Sequence, residues 1–209
     1  MGVSKQQAVE NRRAIIEASE KLFRAHGIDG VGLSALMKAA GFTQGGFYNH
    51  FASKEALAAA VVATAMDKAN SELQEAIAAP IESGGNRLRR QVDFYLSGRH
   101  CSDIEHGCAI AGLTADVRRL GNEAQRHFAS GLQTMFGTLT ALMVEEGASG
   151  PDCATSRREA IAFYCEMVGA LILSRAVANA DPAFGQEILE ASRETLLGNF
   201  ALDTTETRR

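Results

Sequence analysis

Apolar residues recur every three or four positions along most of the chain, and nowhere do they alternate with polar ones as a half-buried strand requires. Between positions 12 and 26 the apolar line is Ile15, Ala18, Leu22 and Phe23, with Ile16 and Ser19 beside it, and Gly27 ends it. A shorter line of Leu33, Leu36, Met37 and Ala40 stops at Gly41, and a third segment follows Thr43, from Gln44 to Phe51. Ser53 then opens a helix that meets neither Gly nor Pro until Pro80. Further helices are predicted over 87–96, with Leu88, Val92, Tyr95 and Leu96 on one side, and over 109–120. Another covers 122–146, where Phe128, Leu132, Met135, Phe136, Leu139, Leu142 and Met143 follow in threes and fours. The fold class this pattern predicts is all-α.

The last two segments, 156–178 and 184–200, have a different character. The first carries Ile161, Tyr164, Val168, Leu171 and Ile172 on one side and Ala160, Phe163, Met167 and Ala170 on the other. A helix apolar on both faces must be buried on both. The second segment has one stripe of Phe184, Ile188, Leu189, Leu196 and Phe200 and is charged opposite it. One face covers the protomer's own core and the other is left for a second copy, so the pair is read as half of a four-helix dimer interface. Its expected contact residues are Val168, Ile172, Ile188, Leu189 and Leu196.

The segment from Gly32 to Leu57 reads as a helix, a tight turn and a helix. Gly41 suits the left-handed conformation of a helix end, Phe42 can plug the angle between the two helices, and Thr43 can cap the second. Consecutive Gly45 and Gly46 each weaken a helix by roughly 1 kcal/mol relative to alanine, so helix stability does not account for them. Close approach to another surface does: a helix bare at its first turn can press its backbone into a DNA major groove, with Thr43 and Gln44 reaching base edges or phosphates. Phe47 and Phe51, four apart, turn inward, while Tyr48, Asn49 and His50 present polar groups outward. Ser53 can cap the next helix. Lys54 in its first turn opposes the helix dipole by a few tenths of a kcal/mol, roughly, which a bound phosphate offsets.

These residues, and the segment from Asn11 to about Leu57 as a whole, resemble the TetR family of bacterial transcriptional regulators. The resemblance implies that Thr43, Tyr48, His50 and Lys54 touch DNA phosphates, and that Gln44 and Gly45, with Asn49 nearby, belong to the same DNA-binding face. It implies a helix-turn-helix domain over 1–52 and a helical effector-binding and dimerisation domain over 53–209. The implied partners are double-stranded operator DNA with an inverted repeat, a second copy of the chain, and a small-molecule effector of unknown identity. Phe94, Tyr95, Met135, Phe136, Met143, Phe163, Tyr164 and Met167 are most simply core, but the resemblance favours a ligand cavity. For its lining the expectation is Phe94, Tyr95, Cys108, Met135, Phe136, Phe163, Tyr164 and Met167. Two departures stand out: Gly32 occupies a capping position usually held by Thr or Ser, and Gly46 replaces a residue that is often Thr or Ser.

Charge changes this picture little. The net charge is −4, but residues 1–60 hold seven Lys/Arg against five Asp/Glu, a net of +2, which leaves −6 for the remainder. Lys5, Arg12 and Arg13 are expected on an N-terminal arm that adds phosphate contacts. The polar start, and a longest apolar stretch at 56–66 that is far shorter than the ~20 residues a span requires, predict no signal peptide, no membrane span and a cytoplasmic location. No cofactor is expected.

The polar run from His100 to Cys108 carries the remaining chemistry. His100, Cys101, His106 and Cys108 do not have a common zinc spacing. Cys108 with His106 or His100 and Asp103 or Glu105 contains the residue types of a thiol hydrolase or peroxidase, the competing reading, although no oxyanion-hole motif accompanies them. Cys108 follows Gly107 at the start of a helix, so it is either a small core residue or, since the position favours thiolate, a reactive thiol, whereas Cys165 within an apolar helix is expected to be inert. The reading is a repressor that leaves operator DNA when a small molecule or reactive species binds, and not an enzyme.

Overall fold

Side-chain caps fix several helix starts in this chain. In a computed structural model, which describes residues 4–81, 85–148, 153–200 and 202, Ser4 accepts a hydrogen bond from the Gln7 amide at 3.1 Å and starts α1, Lys5–His26. This start lies seven residues ahead of the apolar line. Lys5, Arg12 and Arg13 therefore belong to a helix and not to an arm. The buried line of α1 is Ile15, Ser19 and Phe23, joined by Glu20 and Arg24, while Ala18 and Leu22 are half-buried.

Helix α2, Leu33–Ala39, has Gly32 as its N-cap with no side-chain bond. At its other end Gly41 has φ +82°, its amide donates to the Lys38 carbonyl at 3.1 Å, and the Phe42 amide donates to the Met37 carbonyl at 2.8 Å. That pair of bonds closes the helix end that Gly41 predicts. The segment after Thr43 is a short 3-10 helix, Gln44–Asn49, and not an α-helix. Two adjacent glycines in six residues leave too little helix propensity to hold the wider turn. Thr43 has the extended N-cap backbone, yet its side chain makes no capping bond.

Ser53 accepts from the Ala56 amide at 3.1 Å and starts α3, Lys54–Ala78. Asn86 caps α4, Arg87–Tyr95, and Ser97 caps α5, Gly98–Ser102, a five-residue helix that the apolar pattern does not mark. After α6, Ala109–Val117, and α7, Asn122–Glu145, come α8, Cys153–Val177, and α9, Pro182–Asn199. Asp181 caps α9 through the Phe184 amide at 3.0 Å. No strand occurs among the described residues.

The chain divides into two compact units. The first holds the residues up to Ala69 together with Ile104–Gly131, so the expected boundary after residue 52 falls inside it. Here α6 lies against α1 where Gly112 leaves room: a Cβ at Gly112 would be 3.1 Å from Arg24 Cγ. Likewise a Cβ at Gly131 would be 2.6 Å from Met66 Cε, and glycine allows that contact between α7 and α3.

The second unit holds Asn70–Asp103 and the residues from Leu132 onward. Its core is α8 on α9, where Phe163 meets Phe200 edge-on at 5.2 Å and Gly185 sits close to the Ser174 carbonyl. Arg193 of α9 pairs with Asp93 of α4 at 2.6 Å, and Arg175 of α8 donates to the carbonyls of His100, Cys101 and Asp103 around α5.

Helix α8 is, by length and composition, apolar enough to cross a membrane. One face of it is core: Ala160, Phe163, Met167 and Leu171 are buried in the unit. Its other face, with Ala162, Cys165, Ile172, Leu173 and Ala176, is exposed. Two of the five expected dimer residues need correction here. Leu189 and Leu196 are buried inside the protomer, Leu196 completely, and have no surface left to offer a second copy. Ile172 is exposed, and Val168 and Ile188 are half-buried. Cys165 is also exposed, so the inertness expected of a buried thiol does not apply to it.

Candidate nucleic-acid interface

The 3-10 helix rests on a floor of buried aromatic rings. Phe47 and Phe51 are buried and stack at 5.8 Å, Tyr48 meets Phe47 edge-on at 5.2 Å, and the Arg12 guanidinium lies 4.2 Å from the centre of the Phe51 ring. Arg12 thus packs α1 onto the reading segment. Arg13, beside it, pairs with Glu17 at 2.6 Å. Phe42 is half-buried and its ring lies 6.3 Å from that of His50, in the angle between α2 and the 3-10 helix.

On the outer side Thr43, Gln44, Gly45, Tyr48 and Asn49 are exposed, and Tyr48 keeps 70% of its surface. His50 and Lys54 are half-buried at the edge of the same segment. All seven expected DNA-binding residues thus lie between positions 43 and 54, on or flanking one element. Neither Gly45 nor Gly46 has positive φ. A Cβ at Gly45 would meet nothing within 4 Å, and one at Gly46 would make only an ordinary 3.8 Å contact with Met37. Nothing inside the molecule requires glycine at either position.

The residues expected to line a ligand cavity do not form one group. In the second unit Tyr95 lies 6.3 Å and Phe136 5.9 Å from the Tyr164 ring, and Tyr95, Met135, Phe163, Tyr164 and Met167 are buried. Phe94 is exposed and stacks on His100 at 5.2 Å. Cys108 belongs to the first unit, where it is the half-buried N-cap of α6 and its Sγ accepts from the Ala111 amide at 3.4 Å. An open cleft of about 1430 Å³ also lies in the first unit, bordered by Ile16, Leu22, Ala60, Ala63 and His106, and none of the eight expected residues lines it.

His100 is buried, with Nδ1 2.7 Å from the Tyr95 carbonyl. Burial holds its pKa below 6.5, and the nearby Arg175 acts in the same direction, while the Tyr95 carbonyl, Asp103 and Glu72 oppose them. The imidazole is therefore the neutral form that donates from Nδ1 to Tyr95. Among the described residues no three His, Cys, Asp or Glu side chains converge on a point that would hold a metal ion.

The N-terminal helices of this all-helical chain present a helix-turn-helix with an exposed, glycine-bared reading segment, the arrangement of a DNA-binding head. Residues 15–61 match the family described as bacterial regulatory proteins, tetR family, and over that segment the chain is similar to its members. The HTH-type transcriptional repressor NemR of Escherichia coli strain K12 is 23% identical over 180 residues, covering 83% of this chain and 88% of that protein. The A-factor receptor protein of Streptomyces griseus is 35% identical over 109 residues, half of this chain, and the match spans 36% of the receptor's length. Two solved structures share the fold. The reduced form of E. coli NemR has a TM-score of 0.70 at 23% identity, covering 90% of this chain and 96% of that one. A TetR transcriptional regulator from Chloroflexus aurantiacus has a TM-score of 0.75 at 20% identity, covering 94% and 96%.

Proposed function

We propose that the protein is a cytoplasmic repressor that acts as a homodimer on an inverted-repeat operator and leaves the DNA when a small molecule or reactive species engages the body of the protein. Its heads occupy successive major grooves, roughly 34–36 Å apart or a multiple of that distance. The observation that carries this reading is the bare first turn of the reading segment. Gly45 and Gly46 serve no internal packing need, and they leave the backbone free to approach a groove between Gln44 and Tyr48. Thr43, Tyr48, His50 and Lys54 then hold phosphates, with Asn49 beside them, while Gln44 and Gly45 face bases. Functionally the division remains a DNA-reading domain over 1–52 and an effector and dimerisation domain over 53–209. That two of the relatives are named a repressor and a receptor supports both release and repression.

We place effector binding among Tyr95, Met135, Phe163, Tyr164 and Met167, all buried in the second unit, with half-buried Phe136 beside them and Phe94 at the edge. Cys108, a half-buried thiol at the start of α6, is the candidate for a reactive effector. The protein works by binding and not by turnover. The discriminating experiment is a mobility shift with DNA flanking the protein's own gene, repeated with candidate ligands. Specific binding that those ligands relieve without being consumed supports the proposal. Absence of any DNA complex, with turnover of a substrate that depends on Cys108, would return the thiol enzyme in its place.

A further inference from the structure

Arg24 is charged, lies in the last turn of the head's first helix, and is only 8% exposed. Its guanidinium pairs with Glu20, one turn earlier on α1 and equally buried. It also reaches across to the loop ahead of α6. Nη1 donates to the Gly107 carbonyl at 2.5 Å and to the Glu105 carbonyl at 3.4 Å, while Nε has no partner among the described residues. Gly112, on the first turns of α6, provides the space that brings this helix against the Arg24 stem. A second tie lies further along: the Ile28 amide donates to the Asp116 carboxylate at 3.0 Å, and Asp116 is itself paired with Arg119. The end of α1 and the loop that follows it are thus fastened near both ends of α6.

We propose that Arg24 is a positioning residue that makes α1 and the start of α6 move as one piece, so that a displacement of the 105–107 loop is passed to the DNA-reading head. Chemistry explains why this contact behaves as a latch and not as a soft contact. A buried guanidinium with one donor already unpartnered loses more than an ordinary hydrogen bond when its carbonyl acceptors leave, since the charge and Glu20 stay behind largely shielded from solvent. Intermediate positions are therefore poor, and the contact is either made or broken. The two carbonyls belong to residues immediately before Cys108, so anything that moves that residue strips Arg24 of its acceptors. The inference rests on the reading that the head binds an operator and is released from the body side.

The test is amide hydrogen exchange on the full-length protein with and without an operator duplex selected from a random-sequence pool. Binding couplings are reciprocal, so DNA should slow exchange at Ala109–Leu113 in wild type by at least about fivefold. In Arg24→Met that slowing should disappear. Because Arg24→Met strands Glu20 in a buried site, the double variant Glu20→Gln with Arg24→Met removes both charges and carries the test if the single variant does not fold. A ratio of rates with and without DNA cancels a general loss of stability, which a merely structural role would produce. DNA that leaves α6 exchange unchanged in wild type, or slows it equally in a folded variant, would overturn the assignment. A wild type that captures no duplex from the pool would instead remove the DNA-binding reading, and this inference with it.

Discussion

At the scale of single residues, the proposed function assigns base contacts and phosphate contacts to different residues of one exposed segment. Gln44 is exposed at the start of the 3-10 helix with bare glycines after it, whereas Tyr48 and Lys54 lie further along, where the proposed reading gives them phosphates. Gln44→Ala should therefore change which operators are preferred, at a cost of about 1–3 kcal/mol on the favoured one. Tyr48→Phe and Lys54→Ala should weaken binding to all sequences alike, and Lys54→Ala should also lower the salt slope by about one. Titrating each variant against a set of operator mutants at two salt concentrations distinguishes the cases. A Gln44→Ala protein with unchanged preference would remove that residue from base reading. His100 gives a second prediction. Its folded pKa is lowered from 6.5 by burial, so the unfolded chain takes up a proton first as the pH falls. The contribution of neutral His100 is fully present above 6.5 and is lost as the pH falls from there through its lower folded value. Urea midpoints measured between roughly pH 5 and 8 should show this loss in wild type and less of it in His100→Asn.

Helices and their contacts show where sequence reading succeeds and where it stops. The turn at Gly41, the cap at Ser53 and the inward pair Phe47 and Phe51 follow from local rules, because glycine after a helical run, serine before one and an aromatic pair at i,i+4 each restrict the chain to a narrow set of geometries. The start of α1 did not show itself, since Lys5 to Glu10 is mostly polar and a solvated first turn leaves no apolar period. Helix α5 is only five residues long, too short for a period, and its single local signal is the Ser97 cap. Arg24 was invisible for another reason: what buries it is a pair of carbonyls more than 80 positions away. Glycine contacts between helices are equally long-range. At Gly131 a Cβ would lie 2.7 Å from Met66 Cβ, an atom fixed to the α3 backbone that cannot swing aside. Gly131→Val should cost about 1–3 kcal/mol, seen as a lower thermal midpoint. Gly137→Ala on the same helix, where nothing lies within 4 Å, should gain up to about 1 kcal/mol and serves as the control.

At the scale of the whole molecule, the proposed dimer turns on which face of α8 the protomer leaves uncovered. Both sides of this helix are apolar in sequence, so periodicity could not say which one the protomer keeps. Packing does say: Phe163, Met167 and Leu171 go to the core with Leu189 and Leu196 of α9, and the face left over is Ala162, Cys165, Gly169, Ile172, Leu173 and Ala176. Leu173 keeps 59% of its surface and Ile172 37%, on a face with small residues at 162, 169 and 176 that lets a second helix come close. Phe184 at the start of α9 is exposed as well. A soluble monomer that shows such a stripe gains by covering it with the same stripe of a second copy about a two-fold axis. Leu173→Glu or Ile172→Glu should therefore give a folded monomer with intact helicity that holds only half of an inverted repeat and binds it far more weakly. Leu196→Glu, by contrast, buries a charge in the protomer core and should unfold it instead of dividing a dimer. The face also holds Cys165, which gives a check that needs no substitution of its own: in the assembled dimer its thiol should alkylate more slowly than in the Leu173→Glu monomer. Sedimentation that shows wild type as a well-behaved monomer at micromolar concentration, with Cys165 equally reactive in both proteins, would leave α8 without the partner assigned to it.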